Sequence, residues 1–215
     1  VLLLLFSGAA VADDDWPMFR GGPSLTGAVP GTLPQALKPA WTFEAEEGFE
    51  SSAAIYDGAA YVGSLDGNLY AVDLATGKLR WKYAAGEEIK SSPTVVAGML
   101  YFGDESGTFH AVDASSGKRR WTFETGAGII SSANVAGSRL VFGSYDNSLY
   151  GLNAADGNLA WKVETEGYVH ATPAVFDLDG ETVAASAGCD GYLRLVRLED
   201  GSEIRKIELG GYVAA

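Results

Sequence analysis

The chain is short of the residues from which most catalytic and metal sites are built. It holds one cysteine, Cys189, and two histidines, His110 and His170, in 215 residues. A lone thiol excludes an internal disulfide, a CxxC redox pair and a thiolate zinc cage. Basic side chains are also scarce: 15 Lys and Arg stand against 28 Asp and Glu, a net charge of −13. A surface of that sign repels phosphates, which argues against nucleic acid and anionic membranes as partners. No apolar run reaches the ~20 residues needed to span a bilayer. G-x-S-x-G, a Walker loop, H-E-x-x-H and phosphate-binding glycine fingerprints are all missing. Glycine, by contrast, is abundant: 28 residues, nearly twice the usual frequency. With 5 Trp, 10 Tyr and 9 Phe it suggests many tight turns between short aromatic-rich strands.

Residues 1–12 read VLLLLFSGAAVA, ending Ala10-Val11-Ala12 before the polar start Asp13-Asp14-Asp15. An apolar run followed by an A-x-A site is the pattern of a secretory signal. The segment is therefore expected to be a signal remnant, and the mature chain to be periplasmic or secreted. The rival reading is a buried strand or the end of a membrane helix. A lipoprotein signal needs a cysteine just after its cleavage site, and Cys189 lies far downstream.

An internal repeat dominates the rest. Trp41, Trp81, Trp121 and Trp161 recur at intervals of 40 residues. Around them, Ala71-Val-Asp-Leu-Ala-Thr-Gly-Lys-Leu-Arg-Trp81, Ala111-Val-Asp-Ala-Ser-Ser-Gly-Lys-Arg-Arg-Trp121 and Gly151-Leu-Asn-Ala-Ala-Asp-Gly-Asn-Leu-Ala-Trp161 align without a gap. A fourth copy, Leu195 to Arg205, is displaced by 44 residues and carries Arg205 at the tryptophan position. Its four extra residues fall within Phe176–Val183. Each unit reads as four short strands; in the second these are Pro93–Ala97, Met99–Gly103, Thr108–Asp113 and Lys118–Glu124, separated by Gly and Asp clusters. In Lys78 to Tyr83 the alternation places Leu79, Trp81 and Tyr83 on one face. Four-stranded antiparallel units at this period imply an all-β fold, a β-propeller, because a blade with two apolar faces must stack between neighbours.

The pattern Ala71-x-Asp73-x-x-Thr76-Gly77-x-x-x-Trp81 resembles the tryptophan-docking repeat of the PQQ-like quinoprotein family, which includes quinone-dependent alcohol dehydrogenases and the outer-membrane assembly factor BamB. Asp73 and Thr76 suit the turn's free N–H groups, Gly77 supplies positive φ, and Ala71 leaves room for Trp81 to lie as a plate against the next blade. Ala111, Asp113, Gly117 and Gly157 repeat these roles, while Asn153, Asp156, Arg197 and Asp200 depart from them. Upstream, Trp16-Pro-Met-Phe-Arg-Gly-Gly-Pro23 resembles the W-P-x-F-R-G leader of secreted bacterial members. The expected layout is a signal remnant at 1–12, a leader at 13–38 and a partial propeller at 39–215. The propeller holds an outer closing strand at 39–44 and blades near 51–84, 91–125, 131–165 and 171–209. Rings of this family commonly close by pairing an N-terminal strand with strands from the far end, which would assign Trp41 to the final blade. Seven or eight blades need roughly 280–320 residues at this period, so an open arc of about four blades is expected, with apolar faces exposed at its ends.

Internal comparison separates scaffold from candidate sites. Ser51-Ser52, Ser91-Ser92, Ser131-Ser132 and Ala171-Thr172 recur where strand one begins, and read as turn or strand-start hydrogen bonding. Just before them Glu50, Lys90, Ile130, His170 and Ala214 occupy equivalent places with different chemistry. Innermost strands line a propeller's axis, so this ring is a candidate axial rim facing a ligand or partner; solvated loop ends are the plainer reading. His170 has no second His or Cys nearby in sequence, and His110 replaces Tyr70 and Tyr150 as a packing variant. Asp177-Leu-Asp179-Gly-Glu181 opens like a calcium loop but lacks the remaining ligands, and reads as an acidic hairpin. Cys189 reads as a small packed thiol.

These features favour an exported, non-catalytic scaffold that binds protein or another periplasmic ligand, and assign no catalytic, cofactor or metal residue. The resemblance keeps a second reading open, a quinoprotein dehydrogenase in which PQQ and calcium carry the chemistry and an aspartate is the base. That subgroup commonly carries adjacent cysteines and a Glu/Asn/Asp calcium set near the axis, neither of which is matched here; further blades would have to supply them. A third reading is the sensor or carbohydrate-associated domain of a larger exported protein.

Overall fold

The computed structural model describes residues 2–6, 15–28 and 36–213. The A-x-A site and Ala214 lie outside the described residues. Two strands come first: β1 (Leu2–Phe6) pairs antiparallel with β2 (Lys38–Phe43). Four meandering sheets follow, each of four antiparallel strands in sequence order. The first blade is β3 (Ala54–Tyr56), β4 (Ala59–Gly63), β5 (Asn68–Asp73) and β6 (Leu79–Ala84). The second is β7 (Thr94–Val96), β8 (Met99–Gly103), β9 (Thr108–Asp113) and β10 (Arg119–Glu124). The third is β11 (Asn134–Ala136), β12 (Arg139–Ser144), β13 (Ser148–Asn153) and β14 (Leu159–Glu164), and the fourth is β15 (Ala174–Leu178), β16 (Glu181–Ala187), β17 (Tyr192–Arg197) and β18 (Glu203–Glu208). Among the described residues the only helical element is a single 3-10 turn, Phe19–Gly21.

Burial explains why these runs are strands despite weak alternation in the middle of each blade. All five residues of β4 are buried, because the second blade covers one face of the strand and Trp41 and Phe43 of β2 the other. The core therefore lies between blades. Tyr61, Leu69 and Ala71 meet Ile89, Leu100 and Phe102 at the first junction, and Phe109 stacks on Phe142 at 4.1 Å in the second. In β17, Arg194 and Val196 are buried while Leu193 and Leu195 are only half-buried, so the fourth blade's two faces are unequally covered.

Outer strands are half-exposed, and there one expectation is corrected. Leu79 is 47% exposed and does not share the inward face of Trp81. A bulge at Arg80 sets Leu79 opposite Val72 but Trp81 opposite Ala71, so the alternation breaks by one residue. The same irregularity recurs at the corresponding place in the other three blades. β1 pairs with β2 in an equivalent way, with Trp41 opposite Leu4 and a shift just after it. The four extra residues of the fourth unit lengthen the β15–β16 hairpin by the pairs Asp177–Thr182 and Leu178–Glu181.

Candidate functional site

The turn between strands three and four builds the junctions. Gly77 has φ +70° and Gly117 φ +68°, and each turn closes through a main-chain bond from that glycine to the residue four back. The Asp73 carboxylate takes the Thr76 N–H and hydroxyl and two bonds from Arg80. Hydrogen bonds from Thr76 and then Arg80 hold that carboxyl below the usual range, and Ser115, Arg120 and Ser116 do the same for Asp113. Where Asn153 and Arg197 replace the aspartate, Asp156 and Asp200 cap the N–H of Asn158 and Ser202 instead. Each tryptophan then covers the next blade's turn glycine. A Cβ on Gly77 would lie 2.6 Å from Trp41, one on Gly117 2.7 Å from Trp81, one on Gly157 2.5 Å from Trp121, and one on Gly201 2.7 Å from Trp161. The indole N–H donates to Leu74, Ala114 and Leu198 for Trp41, Trp81 and Trp161, while that of Trp121 is buried without a partner. Ala71 and Ala111 sit directly opposite Trp81 and Trp121, where only small side chains fit.

The paired hydroxyl residues organise the hub. Ser51 and Ser91 each accept from and donate to the glycine at the end of strand two, Gly63 and Gly103, at 2.8–2.9 Å. The second hydroxyl reaches backwards. Ser52 N–H donates to Ser92 Oγ (2.9 Å), Ser92 N–H to Ser132 Oγ (2.9 Å) and Ser132 N–H to Thr172 Oγ1 (3.2 Å), linking all four blades in series.

Beside this ladder the structure sets the candidate rim. Glu50 is exposed, Ile130 half-buried, and Lys90 binds Glu88 at 3.0 Å and Glu105 at 2.9 Å. Hydrogen bonds from Lys90 to Glu105 and Glu88 raise its pKa above the ordinary lysine value. His170 Nδ1 lies 2.6 Å from the Tyr145 hydroxyl, and Tyr145 stacks on Tyr168 at 4.7 Å. Burial raises the pKa of Tyr145, with Glu105 and Cys189 adding to the effect. A second ring, missed in the sequence, therefore joins the first: Leu65, Glu105, Tyr145 and Cys189. Their main-chain N–H groups make the same bond in every blade, to Gly48, Glu88, Gly128 and Tyr168, yet their side chains differ. The 40-residue comparison could have found them, one or two places beyond the end of strand two. The structure thus brings Lys90, Glu105, Tyr145, Tyr168, His170 and Cys189 into one neighbourhood.

His110 is placed elsewhere, inside the first junction. Its Nε2 faces Asp104 at 3.0 Å and its Nδ1 the Tyr83 hydroxyl at 3.0 Å, with Phe102 stacked on the ring. Burial acts to raise the Asp104 carboxyl, and the bonds from His110, Ser106 and Thr108 outweigh it and leave it low. Asp66 and Asp146 make the corresponding contact to Tyr70 and Tyr150 from two residues further along the chain. Asp177, Asp179 and Glu181 form a hairpin, in which Asp177 accepts the Gly180 N–H and Glu181 pairs with Arg197. Among the described residues no three His, Cys, Asp or Glu side chains gather as a metal-ligand set. No helix among them is long and apolar enough to cross a membrane.

The family described as outer membrane protein assembly factor BamB matches residues 35–124 and 96–211. Among solved structures, BamB from Moraxella catarrhalis is similar at 18% identity and a TM-score of 0.64, over 74% of this chain and 49% of that one. Quinohemoprotein alcohol dehydrogenase ADHIIG from Pseudomonas putida HK5 is similar at 17% identity and a TM-score of 0.78, over 90% of this chain and 40% of that one. The quinohemoprotein alcohol dehydrogenase of Comamonas testosteroni gives 16% and 0.75, over 90% and 41%. The chain thus spans half or less of the length of these structures, and at such identities the likeness speaks to fold alone. No curated protein matches by sequence.

Proposed function

The chain belongs to the BamB family of PQQ-like repeat propellers, and on that premise we propose that it is a non-catalytic binding scaffold of the bacterial cell envelope, exported to the periplasm or beyond. Its partner is a protein or another envelope ligand, held at the rim. One observation carries the reading: around the hub the main-chain bonds repeat from blade to blade while the side chains at Glu50, Lys90, Ile130 and His170, and at Leu65, Glu105, Tyr145 and Cys189, do not. Scaffold positions repeat because each blade meets the same packing problem. Positions released from repetition beside a stacked tyrosine pair and an ion-paired lysine are suited to recognition. The charge of −13 disfavours acidic polymers as the ligand.

Capture of a periplasmic partner by the full-length protein tests this. Replacing Glu50, Lys90 and His170 together by alanine should lower the captured amount roughly tenfold or more, the effect of losing hot-spot side chains, with an unchanged melting temperature. Undiminished capture would reject the rim. The dehydrogenase reading is the alternative, since two quinohemoprotein alcohol dehydrogenases share this fold over 90% of the chain. Titration of the full-length protein with PQQ and calcium, followed by dye reduction with alcohols, decides between the two; saturable binding with turnover would replace the scaffold reading.

A further inference from the structure

The inner edge of a first strand carries N–H and C=O groups that face the hub and need partners. Here the leader supplies main-chain partners on β3, β7 and β15. Trp16 exchanges both main-chain bonds with Ile55 of β3 (2.9 and 2.8 Å), Val95 of β7 donates to the Pro17 carbonyl (2.7 Å), and Val175 of β15 donates to the Pro23 carbonyl (2.8 Å). That carbonyl also takes the Asn134 side-chain amide of β11 at 2.7 Å. One segment, Trp16 to Pro23, therefore touches the first strands of all four blades.

Its side chains suit the task. Pro17 and Pro23 offer an acceptor and have no N–H to leave stranded. Met18 is 3% exposed, an apolar anchor between them. Gly21, at φ +80°, lies against the Trp16 ring, where a Cβ would come to 3.0 Å, so the segment turns back on itself between its contact to β7 and its contacts to β11 and β15. Arg20 lies over its neighbour Phe19, 5.7 Å from the ring centre. The hold on the blades consists of main-chain bonds, the Asn134 amide, a buried thioether and, at the two ends, bonds from the Asp57 N–H to Asp15 and from the Ser24 hydroxyl to the Val175 carbonyl.

We propose that the hub edges of β3, β7, β11 and β15 form a groove that recognises a turned polypeptide segment of aromatic–proline–methionine pattern, and that the leader is its resident occupant. Strand edges bind extended peptides through the main chain and select them by what the intervening side chains can fill. A segment of another polypeptide with this pattern competes for the same groove. The inference concerns the hub edges alone, so it stands or falls separately from the rim.

The probe is a fluorescein-labelled peptide with the sequence of residues 15–28, added to the full chain and to its Met18→Asp variant. An occupant in cis reduces apparent affinity by the fraction of grooves left open, so the variant should bind about tenfold tighter than the parent. A peptide carrying the same Met18→Asp change should bind neither. Amide exchange at Ile55, Val95 and Val175 should be slow in the parent, fast in the variant, and slow again once the peptide is added. A variant that keeps slow exchange in β4 and β5 but neither binds peptide nor changes at those three amides overturns the proposal. Should Met18→Asp loosen the blades themselves, the parent chain decides. A large excess of peptide with benzoylphenylalanine in place of Phe19, which keeps the methionine anchor, photolysed with that chain, must cross-link to residues of the hub edges; no adduct, or adducts confined to outer strands, overturns it.

Discussion

At each blade junction a single indole lies on a single glycine, and the consequences can be read residue by residue. Trp81→Ala removes a large partly buried ring and its bond to Ala114, and is expected to cost ~3–5 kcal/mol in denaturant unfolding. Trp81→Phe should cost ~1 kcal/mol more than Trp121→Phe, because only the Trp81 indole N–H has a partner to lose. Equal costs would show that the Ala114 bond is energetically idle. Gly98 and Gly117 both have positive φ, but a Cβ meets nothing within 4 Å at Gly98 and Trp81 at 2.7 Å at Gly117. Gly98→Ala should therefore lose only the conformational cost of ~1 kcal/mol, and Gly117→Ala clearly more. Asp113 adds a pH dependence. Its folded carboxyl is held low by Ser115, Arg120 and Ser116, so its contribution is complete above the unfolded value near ~3.9 and disappears as pH falls through the lower folded value. The melting-temperature advantage of the parent over Asp113→Asn should shrink below about pH 4; a constant gap would refute the assignment.

At the scale of the element, hydroxyl pairs and bulges do what side-chain alternation cannot. The first hydroxyl ties the start of strand one to the end of strand two within a blade, and the second receives the N–H of the preceding blade's equivalent residue. Ser92→Ala should remove the partner of the Ser52 N–H, a loss of ~0.5–1.5 kcal/mol, and speed exchange of the Ser52 amide. Ser91→Ala should act instead on Gly103, inside its own blade. If the Ser52 amide exchanges equally fast in both variants, the hydroxyl series does not link blades. The recurring bulge beside each outer-strand tryptophan explains why an alternation drawn from contiguous residues mislaid Leu79: one inserted residue moves every later side chain to the other face. By contrast, the fourth unit's insertion changes only a hairpin's length, since paired residues added at a turn preserve the register beyond it.

For the molecule as a whole, a net charge of −13 repels itself. Raising ionic strength from ~0.01 to ~0.15 M shortens the screening length from ~30 to ~8 Å, and the melting temperature should rise. A fall would mean that local pairs such as Lys90–Glu105 and Arg194–Asp190 outweigh the global repulsion. Blade identity, strand positions in the second unit and the turn glycines were legible in the amino-acid order because each depends on residues within a few places of one another. Strand spacing, positive φ and side-chain size opposite a ring are local demands, and the 40-residue interval repeats them. What only the tertiary structure decided involves partners that belong to different units: Tyr145 on His170, Tyr83 against His110, the serine series, and a leader laid across four first strands. Those meetings depend on the angle at which one sheet stacks on the next. That angle is set by side chains packed between blades, so it is not written in any single stretch of chain.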